Sequence, residues 1–209
     1  LFYHLEYATW ELLGRDVQRQ AKTELTQLVQ EIRAHEDTQL LMFSMVSPKA
    51  DLGFMLLTPD LHQANAFEKQ LSLSLGPEIL SPVYSYLSMT ERSEYTTSEE
   101  QHRQQLIDED GLQADSKELE EKVQEFNDRM TKYLHHRLYP NLPEWPIFCF
   151  YPMSKRRSGD DNWYSLSFDQ RKALMGGHAK LGRMWYGEFG EFYIGLQLPL
   201  DELFERLAL

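Results

Sequence analysis

Cysteine is nearly absent: the 209 residues contain one, Cys149. That excludes a disulfide framework or a cysteine-built metal site within one chain. Cys149, in the apolar run Pro146-Ile147-Phe148-Cys149-Phe150, reads as a small buried apolar side chain rather than a nucleophile. Long apolar runs are also missing. No stretch reaches the roughly eighteen apolar residues of a membrane-crossing helix, so no membrane span is expected. Positive charge is scarce, since 21 Lys and Arg against 33 Asp and Glu leave a net charge of −12. Without a broad basic field to displace counterions, a general nucleic-acid binder is excluded. No signal peptide is visible, the chain begins at Leu1 without a Met, and a cytoplasmic protein is the expectation. There is no Gly-rich phosphate loop, no Cys pair, no His-Glu-x-x-His and no Gly-x-Ser-x-Gly. His135 and His136 are adjacent and point to different sides, which argues against a shared metal, while His4, His35, His62 and His102 are scattered and read as surface residues.

What is present is a real core and an excess of rings. Apolar residues make up 42% of the chain and aromatics 12%, enough to line a flat apolar pocket. Charge is uneven: residues 91–128 are acidic, while 155–157 and 171–183 are locally basic, a pattern that suits a small anionic ligand better than a polyanion.

Residues 1–7 alternate and read as a strand. Over 16–34, Val17, Ala21, Leu25, Leu28, Val29 and Ile32 recur at helical spacing. Residues 39–46 and 51–57 read as strands around Ser47-Pro48-Lys49-Ala50, Thr58-Pro59-Asp60 opens a helix to about residue 75, and 82–90 alternates as a strand. The order is β-α-β-β-α-β, a ferredoxin-like module. Residues 91–145 read as an acidic, solvated and partly mobile connection, with helical patches at Leu119, Val123 and Phe126. A third segment starts with an apolar strand at 145–151. Ser167, with Gln170 three residues on, caps a helix to about Arg183, and 188–196 reads as a last strand.

Within twenty-eight residues lie a phenol (Tyr151), three cations (Lys155, Arg156, Arg157), the run Asn162-Trp163-Tyr164 and one imidazole, His178. His178 shares a helical face with Leu174 and Leu181, where a satisfied core histidine is the ordinary reading. For Tyr151 the alternatives are a rim tyrosine or a redox relay, and Pro152 bends the chain after it. For Lys155 they are a solubilising lysine or a cation that holds and orients a carboxylate. Trp163 and Tyr164 could equally be packing residues.

These motifs, Tyr-Pro-Met-x-Lys-Arg-Arg at 151–157, Asn-Trp-Tyr at 162–164, His-x-x-x-Gly-Arg at 178–183 and Arg-Leu-Tyr-Pro at 137–140, resemble the coproheme decarboxylases (peroxide-dependent haem synthases) of the chlorite dismutase superfamily. The resemblance covers nearly the whole chain and is most specific at 137–183 and 186–199. It implies an α+β subunit of two ferredoxin-like βαββαβ halves forming a dimeric α+β barrel: 1–90 as the first half, 91–145 as the acidic connection, and 146–209 as a second half that carries the ligand. That second half is incomplete, because Trp185 passes straight to Tyr186-Gly187-Glu188-Phe189 where two strands and a helix are expected. A true deletion would leave unpaired edges and an uncovered apolar face. The expectation is therefore that the sequence as given joins segments not adjacent in the full protein.

By the same resemblance the substrate is iron coproporphyrin III (coproheme). Its propionates 2 and 4 are decarboxylated with hydrogen peroxide to give haem b, the last step of coproporphyrin-dependent haem biosynthesis. Tyr151 becomes the tyrosyl radical, Lys155 assists the second decarboxylation, and His178 holds the iron. Arg137 clamps another propionate; Met153, Tyr95 and Trp163 bind the cofactor, although Glu94 stands before Tyr95 where relatives often carry Asn. A homopentamer is implied, and contact with a ferrochelatase is compatible with it. Two other readings stand beside this one: a chlorite-decomposing haem enzyme, which would place an arginine over the iron, and a non-catalytic haem-binding member of the fold.

Overall fold

A computed structural model describes residues 1–142, 147–150 and 154–189, with 181–189 described by their backbone. The chain divides into two compact units, Leu1–Leu87 and Ser88–Leu209.

The first unit carries strands β1 (Phe2–Leu5), β2 (Gln39–Ser44), β3 (Leu52–Leu57) and β4 (Leu80–Tyr84), and helices α1 (Tyr7–Leu12), α2 (Arg15–Arg33) and α3 (Leu61–Leu73). All strand pairs are antiparallel and the sheet order is β2-β3-β1-β4. This is the ferredoxin-type order expected from the sequence, and the fold class is mixed α+β. The helices cover one face. On α2, Ala21, Leu25, Val29 and Ile32 form a buried stripe at spacings of four, four and three, and meet Tyr3, Leu40, Phe54, Phe67 and Leu71 in one core. Leu71 is 0% exposed, so truncating it to Ala costs on the order of 2–5 kcal/mol. Asp60 starts α3 by accepting the His62 backbone N–H at 2.8 Å. Gly76, at φ +110°, turns the chain out of α3 toward β4. A Cβ at Gly53 would lie 3.0 Å from Met45 Sδ and 3.4 Å from the Phe2 ring, a tight fit that those side chains would have to yield to.

Three boundaries differ from expectation. The first strand stops at Leu5, where the Asp51 carboxylate accepts the Leu5 backbone N–H at 2.9 Å and the Tyr7 hydroxyl at 3.1 Å. The short helix α1 follows and buries Trp10. The last strand of this unit begins at Leu80, two residues before Pro82, and ends at Tyr84 rather than at residue 90. Proline is tolerated there because β4 is the outer strand of this sheet and only β1 must be paired.

In the second unit, the segment expected as a mobile connection contains α4 (Glu99–Asp108) and α5 (Lys117–Leu138). Leu106, Leu119 and Val123 pack into a small core of their own. Ser98 and Gln101 make a reciprocal capping box on α4, and Ser116 caps α5 by accepting the Leu119 N–H at 3.1 Å. Gly111, at φ +69°, lies in the connection between them. Arg103 grips both oxygens of Glu120 at 2.5 and 3.0 Å, and this pairing holds the Glu120 carboxyl below its ordinary range. The solvated-linker reading is thus corrected: the apolar patches had a partner helix, which charge composition concealed.

Further corrections concern the rest of this unit. Residues 147–150 form no strand, and Cys149 is exposed rather than buried. Helix α6 runs Phe168–Phe189, so Glu188 and Phe189 are helical rather than the start of a strand. No proline interrupts 168–189, and the helix continues past Arg183. The remainder of that expected strand lies outside the described residues. Among the described residues no helix is long and apolar enough to cross a membrane.

Candidate functional site

The site grows from a turn in the second unit. Residues 154–157 are irregular, and Gly159, at φ +79°, reverses the chain in a conformation that disfavours a Cβ. Arg156 fastens the turn twice. Its guanidinium reaches Asp161 at 3.2 Å, and its carbonyl accepts the Trp163 N–H at 2.9 Å. Asn162 accepts the Tyr164 N–H at 2.9 Å through Oδ1, and its carbonyl accepts the Ser165 hydroxyl at 2.7 Å. A single 3-10 turn results at Trp163–Ser165.

This closure sets two cations on two successive rings. The Lys155 ammonium stands 3.9 Å from the Trp163 ring centroid, and the Arg157 guanidinium stands 4.5 Å from that of Tyr164. Both distances lie inside the range of about 6 Å at which an aromatic quadrupole attracts a cation. Lys155 Nζ also lies 3.7 Å from Met175 Sδ on α6.

Helix α6 begins where expected. Ser167 Oγ accepts the Gln170 N–H at 3.3 Å, and Gln170 Oε1 accepts the Ser167 N–H at 2.9 Å. Met175 and His178 are three residues apart and are therefore neighbours on the helix surface. His178 is exposed, and Leu174, one turn before it, is 56% exposed. The face expected to be a buried apolar wall instead presents an imidazole among solvent-accessible apolar groups. At the start of the same helix, Phe168 is stacked with Tyr95, ring centroids 5.6 Å apart at 27°. Lys172 donates to Gln101 Oε1 at 3.3 Å and ties α6 to α4.

The expected residues are therefore distributed as follows. Lys155 lies against Trp163 and against Met175 of α6, His178 follows Met175 by three residues on the same helix, and Tyr95 stacks on its first residue. Arg137 is engaged at the end of α5, where its Nε donates to the Glu91 carbonyl at 2.7 Å; beside it Thr90 Oγ1 donates to the Leu138 carbonyl at 2.9 Å. Tyr151 and Met153 lie outside the described residues. Sequence reasoning missed Met175 and Phe168. The signal for Met175 was its spacing: three residues before the candidate imidazole, it had to share that surface.

These groups fit an iron porphyrin. Among the described residues no three His, Cys, Asp or Glu side chains come together as a metal cage. A haem iron asks for one imidazole from the protein, and exposed His178, bordered by Leu174, can supply it. The cations on Trp163 and Tyr164 suit carboxylates at the edge of such a ring.

Comparison with known proteins agrees with the fold. Residues 18–191 match the family model described as chlorite dismutase. The chain is also similar to a solved structure described as a novel heme-binding protein from Thermus thermophilus, with 31% identity and a TM-score of 0.67 over 89% of this chain. The match spans 65% of that protein's length. With most of its sequence inside the family model and its fold shared with this relative, the chain belongs to the chlorite dismutase family.

Proposed function

We propose that this protein binds iron coproporphyrin III and decarboxylates its propionates 2 and 4 with hydrogen peroxide, giving haem b. The observation that carries the reading is the Lys155 ammonium held against Met175, a helical neighbour of His178. A carboxylate-holding cation beside an iron-holding imidazole suits a ligand with iron at its centre and propionates at its rim. The haem-binding relative supports the ligand class.

Bound coproheme would supply the redox chemistry by accepting the oxidising equivalents of peroxide. The chain's own tasks are simpler. His178 holds the iron from one side, and Leu174 beside it offers apolar contact to the ring. Lys155 binds and orients a propionate. Tyr151 takes a hydrogen atom from that propionate through its phenoxyl radical. Each round balances as one propionate carboxylate, one peroxide and one proton giving a vinyl group, carbon dioxide and two waters. Arg137, Tyr95, Met153 and Trp163 complete the proposed pocket. The family resemblance also implies a homopentamer, and a transient contact with ferrochelatase is compatible with it.

The test is stepwise addition of peroxide to the protein loaded with coproheme, followed by mass spectrometry of the porphyrin. Two successive losses of a carboxyl group with its hydrogen, abolished in Tyr151→Phe, are expected. An unchanged porphyrin would overturn the reading. Chlorite breakdown without porphyrin conversion would then assign the chain to the chlorite-decomposing branch.

A further inference from the structure

We infer that Trp163, with Met175 beside it, is the positioning residue for Lys155: the indole face holds the ammonium aimed at the ligand's propionate edge. This rests on the coproheme reading and adds to it a residue that acts through Lys155.

The reasoning starts from the lysine side chain. It is a flexible four-carbon stem carrying a compact charge, and it loses considerable rotamer freedom when fixed. A group that must orient a reacting carboxylate needs that freedom removed beforehand. A π face attracts an ammonium without neutralising it, so the positive charge is kept for a carboxylate. Trp163 stands 3.9 Å from Nζ, and the soft Met175 sulfur closes another side at 3.7 Å. The neighbouring Arg156 is paired with the Asp161 carboxylate and fastens the turn.

The platform is itself held. Trp163 donates its backbone N–H to Arg156, Asn162 caps the turn through Tyr164, and Gly159 supplies the reversal. The backbone that carries the indole is thus held by the turn's own hydrogen bonds, whereas Met175 comes from α6, the helix that bears His178. One lysine is bracketed by the loop that follows Tyr151 and by the helix of the iron ligand.

The test has two arms. In ligand-free protein with isotope-labelled lysine, the Lys155 ε-methylene protons should resonate upfield of the exposed lysines, because they lie over an indole face. Lys155→Arg identifies the signal. Trp163→Leu should return it to the common position, and Trp163→Phe should keep part of the shift. In the second arm, at saturating coproheme, Trp163→Leu should slow the second decarboxylation by roughly 10- to 100-fold, and Trp163→Phe should recover most of the rate. If Trp163→Leu fails to fold, Trp163→Phe carries both arms, with a reduced shift and a partial loss of rate expected. An ordinary Lys155 signal in the parent protein, or undiminished turnover in the folded tryptophan variants, overturns the inference. A parent protein that shows the upfield signal but converts no coproheme overturns the function reading instead, and the positioning role falls with it.

Discussion

Tyr95 is stacked with Phe168 at a centroid separation of 5.6 Å, which joins the loop before α4 to the first residue of α6. The contact separates two roles of one side chain. Its ring packs, and its hydroxyl is the part that a propionate would use. Tyr95→Phe, which keeps the stack, should weaken coproheme binding several-fold, the loss of about one hydrogen bond. Tyr95→Ala should also destabilise the second unit by about 1 kcal/mol or more through the lost stack. Calorimetry and porphyrin titration on both variants check this; equal binding by parent and Tyr95→Phe would remove the hydroxyl from the site.

His178 is exposed, so its replacement should not disturb the fold. His178→Ala is expected to stay within about 0.5 kcal/mol of the parent in stability. It should lose the iron-imidazole signature in the absorption spectrum of the haem-loaded protein, and added imidazole should restore it. Unchanged ligation would assign the iron to another residue.

The α4–α5 pair is a folded element, and Leu119 at its centre is 0% exposed. Leu119→Ala should cost on the order of 2–5 kcal/mol. Denaturant unfolding followed by circular dichroism would register it as a lower midpoint. A neutral substitution would mean that the helices do not support one another.

Asp51 titrates below the ordinary carboxylate range, first because it accepts the Leu5 N–H and then because of His4. A depressed carboxyl gives stability that is present above its unfolded value and lost as pH falls through its folded value. Asp51→Asn should therefore lower the unfolding temperature at neutral pH, and the gap to the parent should shrink below about pH 4. A gap that stays constant across this range would assign the effect to shape alone.

How much was legible follows the range of the interactions. The ferredoxin-like half was readable because Ala21, Leu25, Val29 and Ile32 announce their helix within one segment, and the strands alternate beside it. The Ser167–Gln170 cap was readable for the same reason. The α4–α5 pair was not, because Leu106 and Leu119 become a core only when two charged helices meet. Cys149 was misjudged by its apolar neighbours, since an apolar run buries nothing unless a strand or helix carries it inward. The pairing of Lys155 with Trp163 was also hidden. It depends on the backbone at Gly159 and on the Arg156–Asp161 link, and neither follows from composition.

The β1–β4 pairing has a consequence in time. Leu5 and Leu80 are register partners across most of the first unit, whereas α4 and α5 are consecutive helices joined by residues 109–116. Closing a long loop delays the contacts that depend on it, and local helix pairs form first. Pulse-labelled hydrogen exchange should find the α4–α5 amides protected early and those of β1 late. A refolding chain would then hold a finished helical pair while β1 still waits for a partner, leaving that strand exposed to aggregation after the helices are already safe from it.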